Sequence, residues 1–264
     1  MRFIACLAFV LITGCAQFTV KSPEGARVPV NPTCKAGANC HFVNSPVKVD
    51  RSRLLVIPSR DVPFYPTTEQ VDFVDGTGSR WVAHEGIVTD GASIPPVFVS
   101  IVGDPTSPEF INAAAVHDAY CGIGNEEGPN YHTAPWHDVH VMFYDALRVG
   151  GVPEIKAKVM FAAVWLGGPR WTGGRPETGG ALAFAAPAAV AGTPSFEPAE
   201  QDPVQMRAAM RRTKAFVEAN NPSIPALVGF ITGQERGIAA TAAAGGAPGG
   251  GGQAGGHGGG GTAL

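Results

Sequence analysis
The chain has 264 residues, 45% hydrophobic and 16% charged, with a formal net charge of −3. That balance excludes a generally basic nucleic-acid binder, and no internal apolar run reaches the roughly 20 residues of a membrane-spanning helix. The 35 Gly and 23 Pro exceed ordinary usage, and the Gly-rich stretch 245–264 has no apolar periodicity, so the foldable part is shorter than the chain.

The N-terminus reads as an address. Arg2 gives a positive n-region, Phe3 to Ile12 an apolar h-region, and Thr13-Gly14-Cys15 small residues at a cleavage site. Ile12-Thr13-Gly14-Cys15 resembles the bacterial lipobox. The resemblance implies that residues 1–14 are a signal peptide and that Cys15 becomes the lipidated first residue. With Ala16 after it, sorting to the outer membrane, facing the periplasm, is expected. More than one acyl chain is needed for stable anchoring. Export agrees with a disulfide between Cys34 and Cys40 in CKAGANC; the alternative is a metal knuckle with His41. Cys121 is expected as a small buried hydrophobe.

Residues 15–50, rich in Pro, Val and Asn, read as an irregular arm. An α+β domain is expected over 51–172, a small antiparallel sheet followed by three packed helices. Leu54 to Ile57 reads as a strand ended by Pro58, and 80–89 as a second strand region broken near Gly86, after an Asp75-Gly76 turn. A first helix is expected over about 108–121, capped at Ser107-Pro108-Glu109 and stopped at Gly122. A second should run from about 134 to 148, with Trp136, Val139, Phe143, Ala146 and Leu147 on one face. A third opens at Pro153-Glu154 and closes at Gly167-Gly168-Pro169. Residues 173–201 read as an Ala/Pro/Gly linker. Residues 202–237 read as a helical segment whose last helix spans 203–219, capped by Asp202-Pro203. That helix carries Arg207, Arg211, Arg212 and Lys214, either a solvated face or one that touches anionic lipid. Disorder is expected from about 238 to 264.

The residues suited to chemistry lie in the helical block. A short loop between the first two helices predicts antiparallel packing. His117 would then face Asp138, a dyad in which the carboxylate fixes the imidazole tautomer and the ring deprotonates water. Asp118, turned about 100° from His117, and Asp90 in the TDGASIP box are candidate ligands for a cation such as Ca²⁺. The same pair can instead be a structural brace between helices. Ser93 is a weak nucleophile candidate, since no G-x-S-x-G elbow surrounds it. His137 and His140 are three apart and could share zinc with His117 or His132.

TDGASIP (Thr89–Pro95), AAAVHDAYCG and HDVHVMFYDALRVGGV together resemble a bacterial and phage family catalogued as domain of unknown function 1353. Its pattern joins a T-D-G-A-S-I-P strand end, an H-D helix and a D-x-x-F-x-x-A-L helix over about residues 50–170, and it implies no activity. A looser likeness is to secreted phospholipase A2, whose H-D helix pairs with an Asp on an antiparallel helix. It implies the His117–Asp138 dyad with Asp118 on Ca²⁺, although Phe143 lies five residues after Asp138 rather than three. The H…HD…D phosphohydrolases are a third likeness, through His84 and His117-Asp118. The expected function is a lipid-anchored hydrolase of an ester or envelope component; the alternative is a non-catalytic envelope or phage-derived accessory lipoprotein. The partner expected is the membrane, through the anchor, and no nucleic acid.

Overall fold
The computed structural model describes residues 30–58, 60, 62–91, 94–102, 110–172 and 198–245. The expected signal peptide, Cys15, Ser93, the Ser107 cap, most of the linker and the tail beyond 245 lie outside these residues.

The fold is α+β. Among the described residues five short strands come first: β1 (His41–Val43), β2 (Tyr65–Pro66), β3 (Val71–Val74), β4 (Arg80–Ala83) and β5 (Val88–Thr89). They form an antiparallel sheet in the order β1-β3-β4 and a two-stranded ribbon β2-β5. Register pairs Phe42 with Phe73 and Phe73 with Trp81, and the pleat sends Val71 and Phe73 into the core. Asp72 is also fully buried, and Arg80 and Gln70 bind its carboxylate, which is what a buried charge requires.

Among the described residues six α-helices follow: α1 (Val99–Val102), α2 (Ile111–Cys121), α3 (Trp136–Val149), α4 (Glu154–Gly167), α5 (Pro203–Asn220) and α6 (Ile224–Gly245). Helix α2 packs on the sheet with one side and on α3 with the other, α4 lies between α3 and α5, and α6 covers α4 and α5. A helix covered on several sides is apolar all round. The alanines of α2 and the run Val159 to Leu166 of α4 are accordingly buried. Helix α5 starts where expected, with the Asp202 carboxylate accepting from the Val204 amide.

Three expectations change. Residues 54–57 are not a strand. Leu55 makes one bridge to Phe64, while Leu54 and Val56 are exposed; the apolar run has no buried face to fill. The arm is not wholly irregular, because its described part contributes β1, held on β3 by backbone pairing that leaves little trace in a three-residue strand. The three-helix block is not alone, and helix continues past 238 to Gly245. Met206, Met210, Leu227, Val228 and Ile231 join the same core as Phe143 and Phe161. No described helix is long and apolar enough to cross a membrane.

Candidate functional site
Helix α2 presents His117 and Cys121 one turn apart, so their side chains lie on one face. Helix α3, antiparallel beside it, presents His140. His117 Nε2 lies 3.0 Å from His140 Nδ1, and Cys121 Sγ lies 3.5 Å from His117 Nε2 and 3.7 Å from its Nδ1. Each of the three residues is at most 5% exposed. Phe143 packs on the His117 ring and Trp136 on the edge of His140.

The loop after α2 is tied down by Asn125, whose amide bridges the Val88 backbone and the Asp118 carbonyl. The other wall is the turn Gly167–Arg170. Gly168 sits where a side chain would meet the His140 ring. Arg170 is held by the Trp165 carbonyl and by an ion pair with Glu235 of α6, and its guanidinium stacks over Trp136. Between these walls lies a cleft of about 620 Å³, lined by His117, Asp118, Cys121, Tyr131, Arg60 and Arg170 among others.

Burial sets the charge of the cluster. It lowers the His117 pKa to about 3. His140 falls well below the usual imidazole range, first through burial and then through His117 and Arg170, against the Pro169 carbonyl. Burial, and then the Asp118 charge, push the Cys121 thiol well up. The cluster is therefore neutral at pH 7: two imidazoles sharing one hydrogen bond beside a thiol.

The expected His117–Asp138 dyad is not formed. Asp138 Oδ1 lies 2.8 Å from His137 Nδ1 instead, with its side chain about half exposed. The reason is helical phase. His140 is two residues on, about 200° around the helix, and it takes the inward position. Asp138 opens onto a smaller hollow of about 250 Å³ shared with Asp75 and Asp145. Asp118 lines the cleft, and Asp90 faces Arg60 of the same cleft, with Oδ2 and Nη2 3.4 Å apart. His132 is stacked between Tyr131 and Trp171 and His137 is taken by Asp138, so neither joins His140. The Cys34–Cys40 disulfide is formed, which removes the metal-knuckle alternative with His41.

Sequence reasoning missed Cys121 as a partner, and it joined His140 to His117 only as one option for a zinc shared with His137, while placing Asp138 opposite His117. Two signals were present. His117 and Cys121 stand four apart on a helix. The D-x-x-F-x-x-A-L pattern, anchored on Phe143, Ala146 and Leu147, has its first position at His140, not at Asp138.

Residues 66–164 match the family described as Protein of unknown function (DUF1353). The DUF1353 segment therefore holds His117, Asp118, Cys121, Asp138 and His140, while Arg60, Arg170 and helices α5 and α6 lie outside it. The chain is 39% identical over 99 residues to the uncharacterized protein y4iH of Sinorhizobium fredii (strain NBRC 101917 / NGR234), covering 38% of each chain. It is 36% identical over 110 residues to the uncharacterized protein y4jT of the same strain, covering 42% of this chain and 30% of that one. The chain thus spans well under half the length of these curated relatives. No solved structure matches.

Proposed function
We propose that the chain is an exported lipoprotein, held by Cys15 at the outer membrane and facing the periplasm, that hydrolyses an ester or other envelope component in the cleft beside His117. The observation that supports this reading is the cleft of about 620 Å³ that places His117 and Asp118 on one wall and Arg170 on another. Its size suits a small-molecule group or an acyl or peptide segment. An imidazole with its pKa near 3 accepts a proton poorly at neutral pH. The reading therefore gives proton transfer to the Asp118 carboxylate and gives His117 the task of holding the attacking water. Arg170 would face the developing negative charge.

The second reading is a non-catalytic brace, and the 3.0 Å His117–His140 contact between α2 and α3 favours it. The two separate in one assay. Full-length lipoprotein in detergent is incubated with phospholipid vesicles, nitrophenyl esters and peptidoglycan, with and without Ca²⁺. Hydrolysis is expected, falling by about 100-fold or more in Asp118→Asn and unchanged in Asp138→Asn. No turnover on any of these substrates gives the brace.

A further inference from the structure
The contact between His117 and His140 has an unusual chemical consequence. Two imidazole nitrogens 3.0 Å apart repel if both present lone pairs, so something positive must lie between them, either a ring proton or a cation. The far side of His140 looks toward the Gly168–Pro169 turn, where its Nε2 has no hydrogen-bond partner. With one ring hydrogen between the two facing nitrogens, the other of them carries a lone pair aimed at its neighbour, as a metal-binding imidazole must.

Cys121 completes the set. The nitrogen and sulfur donor atoms of His117, Cys121 and His140 all lie within 4.8 Å of one another. Bond lengths in tetrahedral zinc sites imply N···N edges of about 3.3 Å and N···S edges of about 3.6 Å. The distances here, 3.0 Å and 3.5 Å, lie within a few tenths of an ångström of both. Phe143 packs on the His117 ring, and Trp136 and the Gly168 backbone pack on the His140 ring. His117 and Cys121 also line the cleft, so the cluster has one side open to a small molecule.

We propose that His117, Cys121 and His140 form a binding site for a transition-metal ion of the zinc class, with its fourth coordination position facing the cleft. Two imidazoles and one thiolate suit Zn²⁺ or Cu⁺ and not a hard oxygen-seeking cation, so the ion differs from the Ca²⁺ that the aspartates suggested. On binding, the Cys121 Sγ–H bond breaks, its proton passes to solvent, and the sulfur electron pair forms the bond to the metal. The ring hydrogen between the two facing nitrogens moves to the other nitrogen of its own ring, by exchange with solvent, and the freed lone pair binds the metal. The proposal stands whether or not the cleft turns over a substrate.

The test uses untagged full-length lipoprotein in detergent, stripped with chelator and titrated with Zn²⁺ alone or Co²⁺ alone. One equivalent of Co²⁺ should give ligand-field bands with a thiolate-to-cobalt charge-transfer band. Cys34 and Cys40 are tied in a disulfide and Cys121 is the free cysteine among the described residues, so loss of the band in Cys121→Ser assigns it. Zn²⁺ should displace Co²⁺ and raise the melting temperature. Cys121→Ser should abolish the charge-transfer band, and His140→Gln should weaken Zn²⁺ binding by about tenfold or more. Folded wild-type protein that takes up no stoichiometric Zn²⁺ or Co²⁺ overturns the site. So does a charge-transfer band that survives in Cys121→Ser. Both wild-type readouts remain decisive if a variant does not fold.

Discussion

Gly168 decides how closely the chain approaches the cluster. A Cβ placed there would lie 2.3 Å from the Val164 carbonyl oxygen and 3.2 Å from His140 Nε2. The backbone must move to admit it, and the His140 ring moves with it. Gly168→Ala is therefore expected to destabilise the protein by about 1–3 kcal/mol, read as a lower urea midpoint; an unchanged midpoint would mean that the turn yields without strain. Gly151 is different, since nothing lies within 4 Å of a Cβ there. The same scale explains the failed dyad. The apolar face of α3 was legible from Val139, Phe143, Ala146 and Leu147, all of which are fully buried. Which polar residue shares that face depends on a phase difference of two residues, and a burial pattern with His140 inside looks like an error until a partner is seen.

At the scale of elements, the β3–β4 hairpin depends on Asp75. Its Oδ1 accepts from the Thr77 and Ser79 amides and the Thr77 hydroxyl, and its Oδ2 from Trp81 Nε1. Burial raises the Asp75 pKa, but the hydrogen bonds from Thr77 and Trp81 outweigh it and hold the carboxyl below its ordinary value of 3.8. A carboxyl with a lower pKa in the folded state stabilises that state above the unfolded pKa, and the contribution is lost as pH falls through the folded pKa. Asp75→Asn should therefore lose less stability than wild type between pH 7 and pH 3 in thermal melts. Asp75→Ala should cost about 1–3 kcal/mol at pH 7 by leaving buried donors unpaired. An Asp75→Asn melt as acid-sensitive as wild type would place the titration elsewhere. The Asp75-Gly76 turn was readable in advance because turn chemistry is local. Strands β1 and β3 were not, because three or four residues of alternating pattern hardly differ from loop.

For the whole molecule, the C-terminal helices are the main revision. Lys158 of α4 is buried, and its ammonium reaches Glu154 and Asn221 at the end of α5. Glu235 of α6 holds Arg170 in the cleft wall. The hairpin α5–α6 is thus part of the body that carries the site, not an appendage beyond a linker. The anchor belongs to this scale as well. If Cys15 is lipidated, palmitate fed to expressing cells should label the wild-type chain and fail to label Cys15→Ser, which should also leave the membrane fraction. Label retained in that variant would remove the anchor reading.

Local signals in the sequence determined the α+β class, the cores of α2 to α5, the Cys34–Cys40 loop and the resemblance to the family later matched over 66–164. Caps, stops and helical periodicity act over a few residues, so they can be read one segment at a time. The tertiary structure alone decided that His117 meets His140 and Cys121 while Asp138 turns to His137. It also brought α6 behind the cleft. Those contacts join residues 23 and 65 positions apart, and they depend on the rotation and packing of whole helices, which no single segment specifies.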